Sequence, residues 1–371
     1  MTPPLEVLLA GPYPRSGGMT GTYGRILGNI LHSPVMTPGV TFSKLALTLP
    51  ADGFHAKRAA IDFARSRRAL REDPALVHLV MQYNRSIYRE WALLRMARDR
   101  GIGTIMDIRA GRLQLCIRER HNRLQNYLLG ELIRRCDGVV LECPRDLAFV
   151  QDRFGREAIH IPNVILETEF NRIKPAALPP DPGEPLRLIY SGRYIQKKGI
   201  LTVLRALDVL SDRGGRVEFH LTGGGTDPQL NDTILRYSQS PPPGIKVIDH
   251  GWDVPDLYAL LASAHVFIML TSWPGEGHPL SLTEATATGL GLILSDWTHR
   301  ADLMPPEGGL IVKPDDADGC ARAIETYARH PEMLARAGAS NRAYCREHFL
   351  DTVAYPKLLE LYRDVATRRP H

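Results

Sequence analysis

Apolar-rich runs of strand length alternate with longer amphipathic stretches along the whole chain. In the first half the runs fall at residues 5–10, 42–49, 77–82, 103–108 and 138–142, with 159–164 closing the series. Between them, residues 23–31, 56–71, 86–100 and 122–135 repeat apolar positions at the three-to-four spacing of a helix. Strands that are apolar on both faces and separated by helices predict a parallel sheet covered on both sides. Residues 174–185 break the pattern with five prolines and little apolar periodicity, and read as an inter-domain linker. The alternation then restarts. Strands are expected at 186–191, 217–221, 245–249, 266–270 and 291–295, and helices at 199–213, 254–264 and 280–288. An amphipathic helix is expected at 351–367. The predicted class is α/β, with two Rossmann-like, doubly wound domains. They span residues 1–172 and 186–350, joined by a linker at 173–185 and followed by a C-terminal helix at 351–371.

A chain of 371 residues is too long for one typical core and suits two such domains. Its 44% hydrophobic and 23% charged content is that of a globular protein. No run of 18 apolar residues occurs and the first residues lack a secretory pattern, so a cytoplasmic location is expected. The five cysteines are scattered and form no C-x-x-C, which fits a reducing compartment and offers no metal-ligand spacing. Charge is uneven. Residues 1–170 hold 24 Lys/Arg against 17 Asp/Glu, and the remaining 201 hold 22 against 24. The basic half predicts an anionic partner: a lipid-phosphate acceptor, or peripheral contact with an anionic membrane. The basic stretches lack interleaved aromatics, so nucleic acid is not expected.

Residues 276–285 carry the chemistry. Glu276 and Glu284 stand eight positions apart, the first in a Gly/Pro turn after an apolar run, the second in the opening turns of a helix. Strand, turn and helix N-terminus together make an anion-binding arrangement in α/β proteins. Upstream, Gly192-Arg193-Tyr194-Ile195-Gln196-Lys197-Lys198-Gly199 places a basic loop between a strand and a helix. Cations at a helix start oppose its dipole, so the Lys pair asks for a reason.

This pair of elements resembles the Glu-x7-Glu motif and the G-R-x4-K-G loop of family 4 retaining glycosyltransferases with the GT-B fold. The resemblance implies that Arg193 and Lys198 meet the diphosphate of a nucleoside diphosphate sugar, of UDP or GDP type, as donor substrate. It implies that Glu276 lies near the donor sugar and Glu284 on the ribose. Gly223 and Gly224, in a turn after a strand, match the element beside base and phosphates. Trp252 matches a base-pocket position, where it stacks on the base or forms the rim. Gly277, His278 and the backbone N–H groups of Leu280 and Ser281 complete the substrate-binding set. Gly17 and Gly18 match the family's first loop. The family's frequent His-Asp at the end of the fourth strand is Met106-Asp107 here: the Asp matches, the His is absent. Asp107 and, beside it, Arg109 stay as candidates on that strand. Thr298 to Asp302 departs from the family's Gly-Gly-x-x-Glu, and nothing is carried over from it. No D-x-D element stands in a suitable place, and the resemblance implies neither metal nor cofactor. It further implies an N-terminal acceptor domain, a C-terminal donor domain, and a last helix crossing back to the first domain. The expected activity is retaining transfer of a hexose-type sugar to a hydroxyl acceptor, sugar or lipid-linked, in polysaccharide or glycolipid assembly. The alternatives are a relative with other chemistry (epimerase or phosphorylase) and a nucleotide-sugar-binding scaffold with a decayed site.

Overall fold

The computed structural model describes residues 3–13, 21–47, 56–81, 86–111, 113–114, 123–177, 179–181 and 183–368. The chain divides into two units, Met1–Leu166 with Leu350–His371, and Glu167–Phe349.

Unit 1 is a six-stranded parallel sheet in the order β2-β1-β3-β4-β5-β6. Its strands are β1 Leu5–Gly11, β2 Val40–Ala46, β3 Leu76–Met81, β4 Gly103–Ile108, β5 Gly138–Leu141 and β6 Ile159–His160. β3, β4 and β5 are buried at every position, which is why they read as unbroken apolar runs. One face packs on the helices Ala56–Ala69, Ile87–Arg98 and Arg123–Arg135 through residues such as Leu94, Leu129 and Ile133. The other packs on Thr22–His32 and on the C-terminal helix Asp351–Thr367, through Ile26, Ile30, Leu358 and Tyr362. The chain leaves unit 1 beside where it re-enters: Ile165 bridges Leu350, and the N–H of Asp351 donates to Ile165 O at 3.1 Å.

Unit 2 repeats the plan with β7 Leu186–Arg193, β8 Val217–Gly224, β9 Ile245–Asp249, β10 Val266–Met269, β11 Gly291–Ser295 and β12 Gly309–Val312. The order is β12-β11-β10-β7-β8-β9, all parallel. This is the Rossmann order, whose winding reverses between β7 and β10; ligands of such sheets bind at that point, beyond the carboxyl ends of the strands.

Residues 173–185, expected as an inter-domain linker, fall within unit 2. There the N–H of Ala176 donates to Thr288 O and that of Ala177 to Ala262 O, both at 2.8 Å. Gly223 and Gly224 are no turn after a strand. They are the last residues of β8, paired with Gly192 and Arg193 of β7. Buried cysteines behave as small core residues: burial pushes the thiols of Cys136, Cys320 and Cys345 up to about 12. Among the described residues no helix is long and apolar enough to cross a membrane.

Candidate functional site

The reversal point of unit 2 collects the residues that the sequence separates by some eighty positions. β7 ends at Arg193, and a single 3-10 turn, Gln196–Lys198, leads to Gly199 and the helix Ile200–Asp212. Gly199 has φ +79°, and a Cβ there would stand 2.0 Å from the carbonyl oxygen of Leu270. Only glycine permits that approach, and the approach brings the basic loop against the end of β10. Two contacts secure it. Lys197 O accepts from the N–H of Ser272 at 2.9 Å and lies 3.1 Å from Thr271 Oγ1. Lys198 Nζ thereby reaches Glu276 Oε2 at 2.6 Å. Thr271 Oγ1 is also 3.3 Å from that carboxylate oxygen, so its one proton is shared between two acceptors. The Lys198 ammonium stands 5.7 Å from the centroid of the Trp273 ring.

Glu276 is 6% exposed and Glu284 7%, so both sit within the fold and not on its rim. Glu284 lies in the second turn of the helix Leu280–Thr288, which begins directly after the loop that carries Glu276. Pro279 precedes this helix and offers no side-chain cap. The first backbone acceptor used is Pro279 O, taken by the N–H groups of Leu282 and Thr283. No backbone carbonyl among the described residues accepts from Leu280 or Ser281, whose N–H groups point out of the helix start. Such an N-terminus favours an anion. Arg193 is exposed at the end of β7, with no carboxylate partner among the described residues.

Tyr190 joins these groups from below. Its hydroxyl donates to Arg193 O at 2.9 Å. Burial, with a smaller contribution from the Glu276 charge, holds its pKa well above the ordinary phenol value, so it stays a donor. Neither Tyr190 nor Thr271 stood out in the sequence: each looks like the polar end of a core strand, and only the pairing of β7 with β10 shows what it touches.

The remaining expected residues are placed as follows. Gly223 adopts φ +139°, and a Cβ there would stand 1.8 Å from Gly192 O, so β7 and β8 close together only through glycine. Trp252 is 63% exposed and lies beside Gly224. Gly277 turns its carbonyl inward to accept from Trp297 Nε1 at 3.4 Å. His278 is buried, with Nε2 2.8 Å from Thr283 Oγ1 and its ring 4.7 Å from that of Phe349. It braces the helix start from inside. Gly17 and Gly18 lie outside the described residues.

Asp107, in unit 1, is fully buried; its hydrogen bonds all go to Oδ2, and Oδ1 is met by an ion-pair contact alone. Arg109 grips both its oxygens, Nε to Oδ1 at 2.7 Å and Nη2 to Oδ2 at 2.8 Å. His78 Nε2 lies 3.2 Å from Oδ2, and His78 Nδ1 lies 2.5 Å from the Tyr362 hydroxyl. Burial opposes the charge, but the Arg109 guanidinium and the His78 contact outweigh it and hold the carboxyl below its usual range. Arg109 Nη1 also donates to Ile161 O at 2.9 Å. This chain ties β3, β4, the segment after β6 and the C-terminal helix together. Asp107, expected among the catalytic residues, is thus buried in unit 1 and held by its ion pair with Arg109.

Solved structures share this architecture end to end. A sucrose-phosphate synthase from Thermosynechococcus elongatus superposes with a TM-score of 0.75, covering 98% of this chain and 100% of its own, at 17% identity. The Anabaena protein HepE, solved with UDP and glucose, gives 0.70 over 96% and 98% at 13% identity. The fold is GT-B. Within it, residues 185–330, nearly all of unit 2 from β7 onward, match the family model described as glycosyl transferases group 1. AmsK, an amylovoran biosynthesis glycosyltransferase of Erwinia amylovora, is 25% identical over 198 residues. That match covers 49% of this chain and 46% of AmsK, so the chain spans less than half of this curated relative's length.

Proposed function

We propose that the protein is a family 4-type retaining glycosyltransferase. It moves a hexose-type sugar from a nucleoside diphosphate sugar to a hydroxyl acceptor in polysaccharide or glycolipid assembly. One observation carries the reading. Two sequence elements some eighty residues apart meet through the 2.6 Å contact of Lys198 with Glu276, at the reversal point of the unit 2 sheet.

Cleaving the sugar–phosphate bond leaves charge on the departing diphosphate. An ammonium keeps two of its three hydrogens for such oxygens while the third is given to Glu276. Arg193, with no carboxylate partner among the described residues, supplies a second cation. The open N–H groups of Leu280 and Ser281 supply neutral donors. Fixed charges aimed at the leaving group stabilise the transition state more than the ground state. In this reading these groups take the part that a metal plays in other transferases. Glu276, held by Lys198 and Thr271, orients the sugar hydroxyls and is not the nucleophile. Glu284 takes the ribose hydroxyls, Trp252 the base, and unit 1 the acceptor. The glycosyltransferase names of the AmsK and group 1 matches, and HepE's solution with UDP and glucose, support this reading.

A thermal-shift panel tests it. UDP or GDP stabilises the chain and NAD does not; slow hydrolysis of the matching nucleotide sugar is seen and disappears in Glu276→Ala. Stabilisation without any turnover would leave a binding protein, and stabilisation by NAD alone would refute the donor site.

A further inference from the structure

Residues 249–252 form the loop at the end of β9 that carries Trp252, and hydrogen bonds tie this loop to the end of β8. The N–H of His250 donates to Leu221 O at 2.8 Å. Gly251 O accepts from the N–H of Gly223 at 2.8 Å and from Thr222 Oγ1 at 3.0 Å. Asp249 Oδ1 accepts from the N–H of Gly251 at 2.9 Å and from the Tyr194 hydroxyl at 3.0 Å. A further bond joins two imidazoles: His220 Nδ1 lies 2.9 Å from His250 Nε2, with the ring planes within 6° of parallel. Trp252 is 63% exposed, so its place is set mainly by the backbone of this loop.

His220 stands two residues after Glu218 on the same face of β8, and Lys246 of β9 lies opposite Glu218 in register. His220 is 7% exposed, whereas His250 is exposed. His220 Nε2 is 3.0 Å from Glu218 Oε1, and the other oxygen of Glu218 is 3.3 Å from Lys246 Nζ. A proton on His220 Nε2 faces that carboxylate and leaves Nδ1 as acceptor, so His250 Nε2 is the donor. Burial lowers the His220 pKa from its ordinary 6.5 against the pull of Glu218, and the neighbouring His250 and Lys246 push the same way as burial. One added proton leaves the bond between the rings intact, because an imidazolium still donates to a neutral ring. A second does not: two N–H groups, each on a cation, would then face one another. Of the contacts that hold the loop, this one alone joins side chains of a type that ordinarily changes charge between about pH 5 and 8.

We infer that His220 and His250 are positioning residues for the nucleotide site proposed above, and that they release the Trp252 loop when both imidazoles are charged. Nucleotide affinity is therefore steady above the ordinary histidine range and falls as pH drops below it. The sign follows from the protons bound: the released loop takes up one more than the attached loop. Below about pH 6.5 each pH unit shifts the balance toward release by up to about tenfold, until His220 is protonated in place. The inference rests on the donor-site reading, in which Trp252 meets the base.

Calorimetric titration of the whole chain with UDP, and with GDP in parallel, between about pH 7.5 and 5.5 tests it. His220→Gln keeps an acceptor oxygen for His250, and His250→Gln keeps a donor for His220; neither glutamine takes up a proton. Each variant binds nearly as the parent does at the upper pH, with an unchanged melting temperature there. On going to the lower pH, the parent's Kd rises about tenfold more than either variant's. The ratio to the variant removes the titration of the nucleotide's own phosphate, and either glutamine variant alone decides. His220→Phe fills the space without an acceptor, so it weakens binding at the upper pH and shows no extra loss at the lower. Glutamine variants with the parent's pH profile, or a His220→Phe that binds like the parent, overturn the inference and leave the donor site standing. A parent that binds neither nucleotide at the upper pH overturns the donor-site reading and the inference with it.

Discussion

Lys198 and Glu276 are each mostly buried, so neither charge is cheap to leave alone. Removing the ammonium by Lys198→Ala strands a carboxylate that is only 7% exposed, which costs about 3–5 kcal/mol when such a pair is fully buried and less here. Its effect on the reaction is separate: donor turnover is expected to fall about 10²–10³-fold, the loss typical of one preorganised charge donor. Glu276→Gln keeps shape and an acceptor oxygen for Lys198, so it should fold like the parent and still lose turnover. Chemical denaturation beside steady-state rates separates the two effects. Arg109 works differently. It compensates a fully buried Asp107, and Arg109→Ala should destabilise unit 1 by about 3–5 kcal/mol, read as a fall in denaturation midpoint with no change in nucleotide affinity of the protein that remains folded. Glu90 gives a pH signature. It is buried, with Ser86 donating to Oε1 at 2.5 Å and no hydrogen bond to Oε2 among the described residues, and burial lifts its pKa from 4.5 to about 7 despite Arg89. A carboxyl whose folded pKa is raised favours folding below its unfolded pKa, and that stability is lost as pH rises toward 7. The loss is about 3 kcal/mol at most, at about 1.4 kcal/mol per pH unit. Glu90→Gln, which cannot ionise, should therefore match the parent near pH 4 and exceed it increasingly up to about pH 7, where the difference levels off; equal stability across that range would contradict the assignment.

At the scale of elements, the loop between β7 and the helix Ile200–Asp212 depends on one glycine. Gly199→Ala puts a methyl group 2.0 Å from Leu270 O at a positive φ, so the loop must leave β10 and carry Lys198 with it. The expected result is loss of nucleotide binding with a lowered melting temperature, whereas Gly21→Ala, strained in φ but with nothing within 4 Å, leaves nucleotide binding intact. The same logic explains what the chain made legible. Strands buried on both faces announce themselves as apolar runs, and β3, β4, β10 and β11 fall within a residue or two of expectation. Elements with a thin or polar buried stripe do not. The helix Pro228–Gln239 buries only Leu230 and Ile234, and its clearest mark is Asp227, which caps Gln229 and Leu230 ahead of a proline at the first turn. Pro331–His348 buries Leu334, Ala337, Gly338, Asn341 and Cys345, a helical spacing hidden among small and polar side chains. β12 buries Val312 alone of its four residues. The prolines of 173–185 suggest a linker, and composition says nothing of the backbone hydrogen bonds that Ala176 and Ala177 make to Thr288 and Ala262. The enclosure of Asp107 at its strand end depends on His78 and on Arg109, and the reach of the Arg109 side chain is not written in the sequence.

At the scale of the molecule, the proposed donor site lies in unit 2, which holds Lys198 against the buried Glu276 at its reversal point, with Arg193 exposed at the end of β7. The proposed site says where a nucleotide should act. Hydrogen–deuterium exchange of the whole chain, with and without saturating UDP or GDP, measures this directly. Slowed exchange in residues 192–199, 222–225 and 271–284, reduced or lost in Lys198→Ala, is the predicted result. Protection confined to residues 1–166, or absent from the 192–199 and 271–284 segments when the nucleotide is demonstrably bound, would contradict the account.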